Sequence, residues 1–233
     1  MQDIKVFNEE QLDAHYNKFK KYLTSYIKRE GITEFIEWLD TTDMRVAPAS
    51  TKYHGSFEGG LVVHNIYVFK RAIDVMNMIY PSFQQVDGEG NLMWQDEEKT
   101  IPVMTSKCPY SKESIALVTL LHDISKVDTY AIGQKKLPNK ETGVWENTQY
   151  YYTKDQGERL LFGTHAENSL YILNKYFNLS YDEQLAILHH MGGLDFSDSD
   201  ATRGNAVAAY RKSTLAYIVH MADMTAMILD EAV

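Results

Sequence analysis

Apolar residues recur at three- and four-residue steps over most of this chain, the spacing of helices that bury one face. Asn8-Glu9-Glu10-Gln11 offers a capping Asn with acids in the first turn. Leu12, Tyr16, Phe19, Tyr22, Leu23, Tyr26 and Ile27 then keep the helical rhythm, predicting an amphipathic helix that Gly31 ends. A short helix is expected over 34–39, and a loop over 41–60, where Thr, Ser, Pro and Gly concentrate. The rhythm resumes from Leu61 through Val62, Ile66, Phe69, Ile73, Met76 and Ile79, and Pro81 bounds that helix. Residues 111–124 predict a further helix, apolar nearly all round and therefore central. Three more are expected over 164–177, 180–191 and 206–229, the second opened by a capping box from Ser180 to Glu183.

Two stretches depart from this pattern. Residues 82–109 contain Asp87-Gly88-Glu89-Gly90-Asn91, a turn cluster between short apolar pieces that reads as a small hairpin or excursion. Residues 129–153 alternate around Lys140-Glu141-Thr142-Gly143 and end in Tyr150-Tyr151-Tyr152, predicting a β-hairpin. The expected class is all-α: a helical bundle with one or two small inserted β-hairpins, and no internal repeat or linker. Residues 1–50 read as an N-terminal helical extension packed on a core formed by 51–233.

Composition narrows the possibilities. At 233 residues, 44% hydrophobic and 24% charged, the chain fits one globular domain and not a disordered or low-complexity class. No apolar run reaches the ~18 residues of a membrane span, and MQDIKVFNEEQ lacks the apolar stretch of a signal peptide. The single Cys108 cannot form an internal disulfide, so a reducing, cytoplasmic setting is the expectation. A net charge of −9 disfavours nucleic acid, whose phosphates demand a basic face, and favours a small ligand.

The histidines change the picture most, seven of the eight falling between His54 and His220. His64 lies early in the 61–79 helix, and His122-Asp123 ends the apolar run 117–121. His165 opens its helix, His189-His190 closes the next, and Asp223 sits in the last, strongly apolar one. Burying imidazoles and carboxylates from five helices is costly unless they pair or bind metal. A mixed His and Asp set suits Mn, Fe, Ni, Co or Zn, with Mg possible but oxygen-loving. Neighbouring helical side chains point about 100° apart, so His122 and Asp123 share one centre only if the helix end faces it. Asp123 can there bridge two ions. Lys126, three residues on, returns to the same side, where a cation neutralises phosphate.

These residues resemble a known superfamily. His64, His122-Asp123 and Asp223 follow the ordered H…HD…D signature of the HD-domain metal-dependent phosphohydrolases. HDISK at 122–126 is similar to the family's HDIGK, with Ser125 where Gly is usual. YHGSFEGGLVVH at 53–64 resembles the approach to its first metal-binding helix. The likeness is greatest to HD-domain 3′–5′ exoribonucleases and to small stand-alone HD hydrolases of bacteria and phages. Residues 143–173 and LAILHHMGGLD look like the middle of the latter. It spans about residues 50–230, and residues 1–50 are far too short for the exoribonucleases' nucleic-acid-binding domain. The resemblance implies His64, His122, Asp123 and Asp223 as primary ligands of one or two divalent ions. His165 and His190 would complete a second position, with His189 less favoured than His190. Lys126 is implied as a phosphate contact or electrostatic stabiliser, Asp123 as the residue that orients the attacking hydroxide, and His54, Tyr53 and His189 as substrate contacts. Related proteins often associate, so a homo-oligomer is a further expectation.

Plainer readings stand beside these. His220 reads as structural, His15 as a surface residue, and Lys126 could instead pair with Asp128. The tyrosine triplet and Trp145 read as hairpin packing, with a base-stacking wall as the alternative. Gly59-Gly60 and Gly192-Gly193 lack the form of a phosphate loop and read as places of close backbone approach. No G-x-S-x-G is present to mark a serine nucleophile. The leading expectation is hydrolysis of a nucleotide or related small phosphoester by metal-activated water. A di-iron HD-type oxygenase and a non-catalytic nucleotide-binding module are the alternatives.

Overall fold

A computed structural model describes residues 7–80, 108–138, 142–155, 158, 163–192 and 200–229. Among these, eight α-helices and one two-stranded antiparallel sheet follow the order α1 (Glu9–Tyr26), α2 (Ile32–Leu39), α3 (Gly60–Ile79), α4 (Lys112–Leu121), β1 (Tyr130–Pro138), β2 (Trp145–Thr153), α5 (His165–Leu173), α6 (Tyr181–Leu188), α7 (Asp200–Lys212) and α8 (Thr214–Leu229). The chain is mostly helical, with a single hairpin among the described residues. The excursion expected over 82–109 lies almost wholly outside them.

Helix starts follow local chemistry. Asn8, Thr164 and Ser180 each form a capping box with the residue three positions on, Gln11, Glu167 and Glu183 respectively. Ser111 caps α4 through the backbone N–H of Ser114. Helix α4 buries Ile115 through Leu121 without interruption and forms the axis of the bundle. Helix α3 packs along α8 and α4, and its early turns bury Leu61, Val62, His64, Asn65 and Ile66. Phe19, Leu23 and Phe35 of α1 and α2 share one hydrophobic cluster with Phe69, Leu117, Leu173 and Ile218.

Three local expectations need correction. Helix α1 stops at Tyr26 and does not continue to Gly31, because the Glu113 carboxylate accepts the backbone N–H of Lys28 at 2.6 Å and of Arg29 at 2.7 Å. The helix expected over 206–229 is two helices, α7 and α8, parted at the buried Ser213. Arg211 and Lys212 end α7, where cations suit the helix dipole. His15 is half-buried with its ring 4.6 Å from that of Phe7, so it is not a plain surface residue.

The hairpin pairs Tyr130 with Thr153 and Pro138 with Trp145, in register throughout. Most of both strands is exposed, including Ile132, Trp145, Tyr150 and Tyr152. Tyr150 and Tyr152 pack within the hairpin, as expected, and not against the described helices. The Tyr150 ring lies over Gly133, where an added Cβ would fall 2.9 Å from it, and the Lys135 ammonium sits 4.6 Å from its centroid.

Candidate metal centre

Each cluster residue is delivered by a helix end or an early turn. His64 stands on the second turn of α3, which begins at Gly60. A Cβ on Gly60 would lie 2.0 Å from the Gly55 carbonyl oxygen, so the 53–60 loop folds tightly back only because no side chain is there. His122 is the C-cap of α4, and Asp123 precedes a 3-10 turn over Ile124–Lys126. That abrupt change of winding brings both neighbours to one centre. His165 is the first residue of α5, His190 follows the C-cap of α6, and Asp223 lies midway along α8.

Inside the bundle these side chains meet. His64 Nε2 is 3.2 Å from Asp223 Oδ1 and 3.5 Å from Asp123 Oδ2. His122 Nε2 is 3.4 Å from Asp123 Oδ2 and 4.0 Å from Asp223 Oδ1. On the far side of the same carboxylate, Asp123 Oδ1 is 3.5 Å from both His165 Nε2 and His190 Nε2, which are 3.1 Å from each other. An ion bound at about 2.0–2.2 Å sets adjacent ligand atoms roughly 2.9–3.5 Å apart and opposed ones about 4 Å apart. The separations match that polyhedron on both sides of Asp123. Two triads, His64-His122-Asp223 and His122-Asp123-His190, hold all their ligand atoms within 4.8 Å and are buried.

Backbone hydrogen bonds and burial suit the donor set, although at His190 burial is outweighed by the Asp123 carboxylate, which raises the imidazole. His122 Nδ1–H donates to the Thr119 carbonyl at 3.0 Å, and His190 Nδ1–H to the Ile187 carbonyl at 2.7 Å. Each backbone bond fixes a tautomer that aims the Nε2 lone pair inward, the usual arrangement behind a metal-bound imidazole. His122 Nε2 and Asp123 Oδ1 are buried with no hydrogen bond of their own, a costly state that coordination would relieve. Burial pushes the imidazole of His122 down, and that of His165 down to about 3, so both are neutral donors at ordinary pH. Burial alone would raise the Asp123 and Asp223 carboxyls. Lys126 reverses this for Asp123, and a hydrogen bond with His64 does so for Asp223, holding both well below the ordinary carboxylate range. These buried clusters could hold a metal ion.

Lys126 is nearly buried, and its Nζ donates to Asp123 Oδ2 at 2.6 Å, so its partner is Asp123 and not Asp128. The Asp123 carboxylate keeps the amine charged despite burial. His54 stands at the edge of the cluster, ring centroid 4.8 Å from that of His64. Tyr53 is 80% exposed. Of the adjacent pair, His190 enters the cluster. His189 caps α6 half-buried, and its carbonyl accepts the Tyr210 hydroxyl. His220 serves as a brace: its Nδ1 donates to the His190 carbonyl at 2.6 Å. Gly192 passes so close that a Cβ would lie 2.8 Å from the His220 ring.

Two positioning residues escaped the sequence reading. Ser125 Oγ donates to the His165 carbonyl at 2.7 Å and accepts from Ser169 Oγ at 3.1 Å, while Ser125 N–H donates to Ser169 Oγ. Together they pin the turn carrying Asp123 and Lys126 to the start of α5. Ser169 lies four residues after His165 on the same helix face, the one local sign of its role. No family model, curated protein or solved structure matches this chain.

Proposed function

We propose that the chain is a metal-dependent phosphohydrolase of the HD-domain class, acting on a phosphoester bond of a nucleotide or related small phosphate compound. The observation that carries this reading is the Asp123 carboxylate, whose two oxygens face separate sets of imidazoles at ligand spacing. The ordered H…HD…D motif supports it independently, and so does the cation three residues after Asp123. Manganese, iron, nickel, cobalt or zinc suits four imidazoles and two carboxylates better than magnesium does.

His64, His122, Asp123 and Asp223 would hold one divalent ion and His165 and His190 a second, and such an ion would supply Lewis acidity and lower the pKa of bound water toward ~7. The protein's own groups do the rest. Asp123 accepts a hydrogen bond from the attacking water and fixes its direction. Lys126 brings a permanent positive charge against that carboxylate, where it offsets charge building on the phosphoryl oxygens. The backbone-anchored Nδ1–H groups of His122 and His190 keep both rings from turning. The bundle wall excludes bulk water and strengthens each of these interactions. His54 stands ready to touch substrate beside His64.

The test is metal analysis of untreated protein, together with phosphate release from a panel of nucleotides and simple phosphoesters under Mn, Co, Ni, Zn and Mg. Bound transition metal and release from at least one phosphoester are expected. Tightly bound iron with oxygen consumption on a polyol would replace this reading with the oxygenase. Nucleotide-dependent thermal stabilisation without release under any metal would replace it with a binding module.

A further inference from the structure

The base of the hairpin is fastened to the turn that carries Asp123 and Lys126. Thr129 Oγ1 donates to the Ser125 carbonyl at 2.8 Å, Lys154 N–H to the Thr129 carbonyl at 3.0 Å, and Lys154 Nζ to the Asp128 carbonyl at 2.9 Å. Strand β1 therefore leaves the centre directly, with Tyr130 four residues after Lys126.

The strand period of two divides the hairpin's aromatics between its faces. Tyr130, Ile132 and, through the Ile132–Tyr151 pairing, Tyr151 share one face; Gly133, Lys135, Tyr150 and Tyr152 share the other. On the second face Tyr150 is already engaged by Gly133 and Lys135, and its ring lies 6.0 Å from that of Tyr152. On the first face Tyr130 and Tyr151 are half-buried, and among the described residues no helix packs extensively on either strand. Tyr130 opens β1 and pairs with Thr153, and Tyr151 lies two residues before Thr153, so both stand at the hairpin base that Lys154 fastens beside the Lys126 turn.

We infer that Tyr130 and Tyr151 form an aromatic wall beside the metal centre that takes the flat base of a nucleotide while its phosphate lies at Lys126 and Asp123. This rests on the phosphohydrolase reading and adds the recognition of the non-reacting end of the substrate. Stacking on a phenol ring tolerates any base and needs no basic groove, in keeping with the chain's net charge of −9.

The experiment uses the full chain with manganese. Calorimetry compares non-cleavable phosphonate analogues of adenosine, guanosine, cytidine and uridine monophosphates with the same ribose phosphonate lacking a base. At least one nucleoside analogue should bind about tenfold or more tighter than the base-free compound. Tyr151→Ala should erase that advantage while leaving base-free binding and metal content unchanged. Tyr151→Trp, which retains a platform, should keep it, and so should Tyr152→Ala on the opposite face. The inference is overturned if no base improves binding, or if Tyr151→Ala and Tyr152→Ala behave alike. A base preference without phosphate release from any substrate would uphold this wall and sink the hydrolase. Release with no base preference would do the reverse.

Discussion

Asp123 is the residue on which the centre turns, because its two oxygens face different partners. Oδ2 meets His64, His122 and Lys126; Oδ1 meets His165 and His190. Losing an outer partner of a metal ligand costs up to about 100-fold in affinity, and removing a shared ligand should cost more. Asp123→Ala is expected to lower metal affinity by more than roughly 100-fold at both positions. Asp223→Ala should weaken only the position beside His64, a difference that metal titration by calorimetry will reveal. Lys126→Ala should retain metal and lower turnover about 100-fold, as loss of one electrostatic stabiliser does. A normal rate would contradict its role. The ligand residues were legible as types and order in the sequence. Ser125 and Ser169 were not, because their value is a pair of hydrogen bonds across 44 residues.

Elements show the same division between local and distant causes. The three capping boxes lie within four residues each, so the starts of α1, α5 and α6 could be read from the chain. The end of α1 could not, since the carboxylate that draws off its backbone belongs to Glu113, more than 80 residues away. Nearby, Arg29 makes a two-pronged contact with the buried Glu183, Nη1 to Oε2 at 3.0 Å and Nη2 to Oε1 at 2.8 Å. Glu183 thus caps α6 and ties it to the segment after α1. Burial would raise this carboxyl, and Arg29 holds it below its ordinary value. A depressed folded pKa gives stability that is present above the unfolded value of about 4.3 and lost as pH falls through the folded one. Glu183→Ala should therefore destabilise the protein by about 2 kcal/mol near neutral pH, since it removes two charge-assisted hydrogen bonds and leaves Arg29 only the looser ion pair with Glu113 at 3.5 Å. The gap should shrink below about pH 4 in denaturant melts. A gap independent of pH would show that packing, not charge, is what Glu183 contributes.

At the scale of the whole molecule, the bundle brings residues from five helices, spread over 160 positions from His64 to Asp223, to one buried point. The H…HD…D order announced that such a convergence was possible, and the apolar rhythm announced the helices. Neither announced the closeness, because it depends on α3 and α8 running side by side and on the change of winding after α4. The hairpin is the exception to the compact pattern: its alternation was plain in the sequence, but its exposure was not. Strand alternation reports which residues share a face and is silent on what that face meets. The central claim is that His64, His122, Asp123 and Asp223 hold an ion. Anomalous diffraction at the manganese absorption edge, from crystals grown with manganese, tests it directly. The account predicts a peak within about 2.0–2.3 Å of His64 Nε2, His122 Nε2 and one oxygen each of Asp123 and Asp223. Manganese found only at surface carboxylates, with these four side chains hydrogen-bonded to one another and no peak between them, would contradict it.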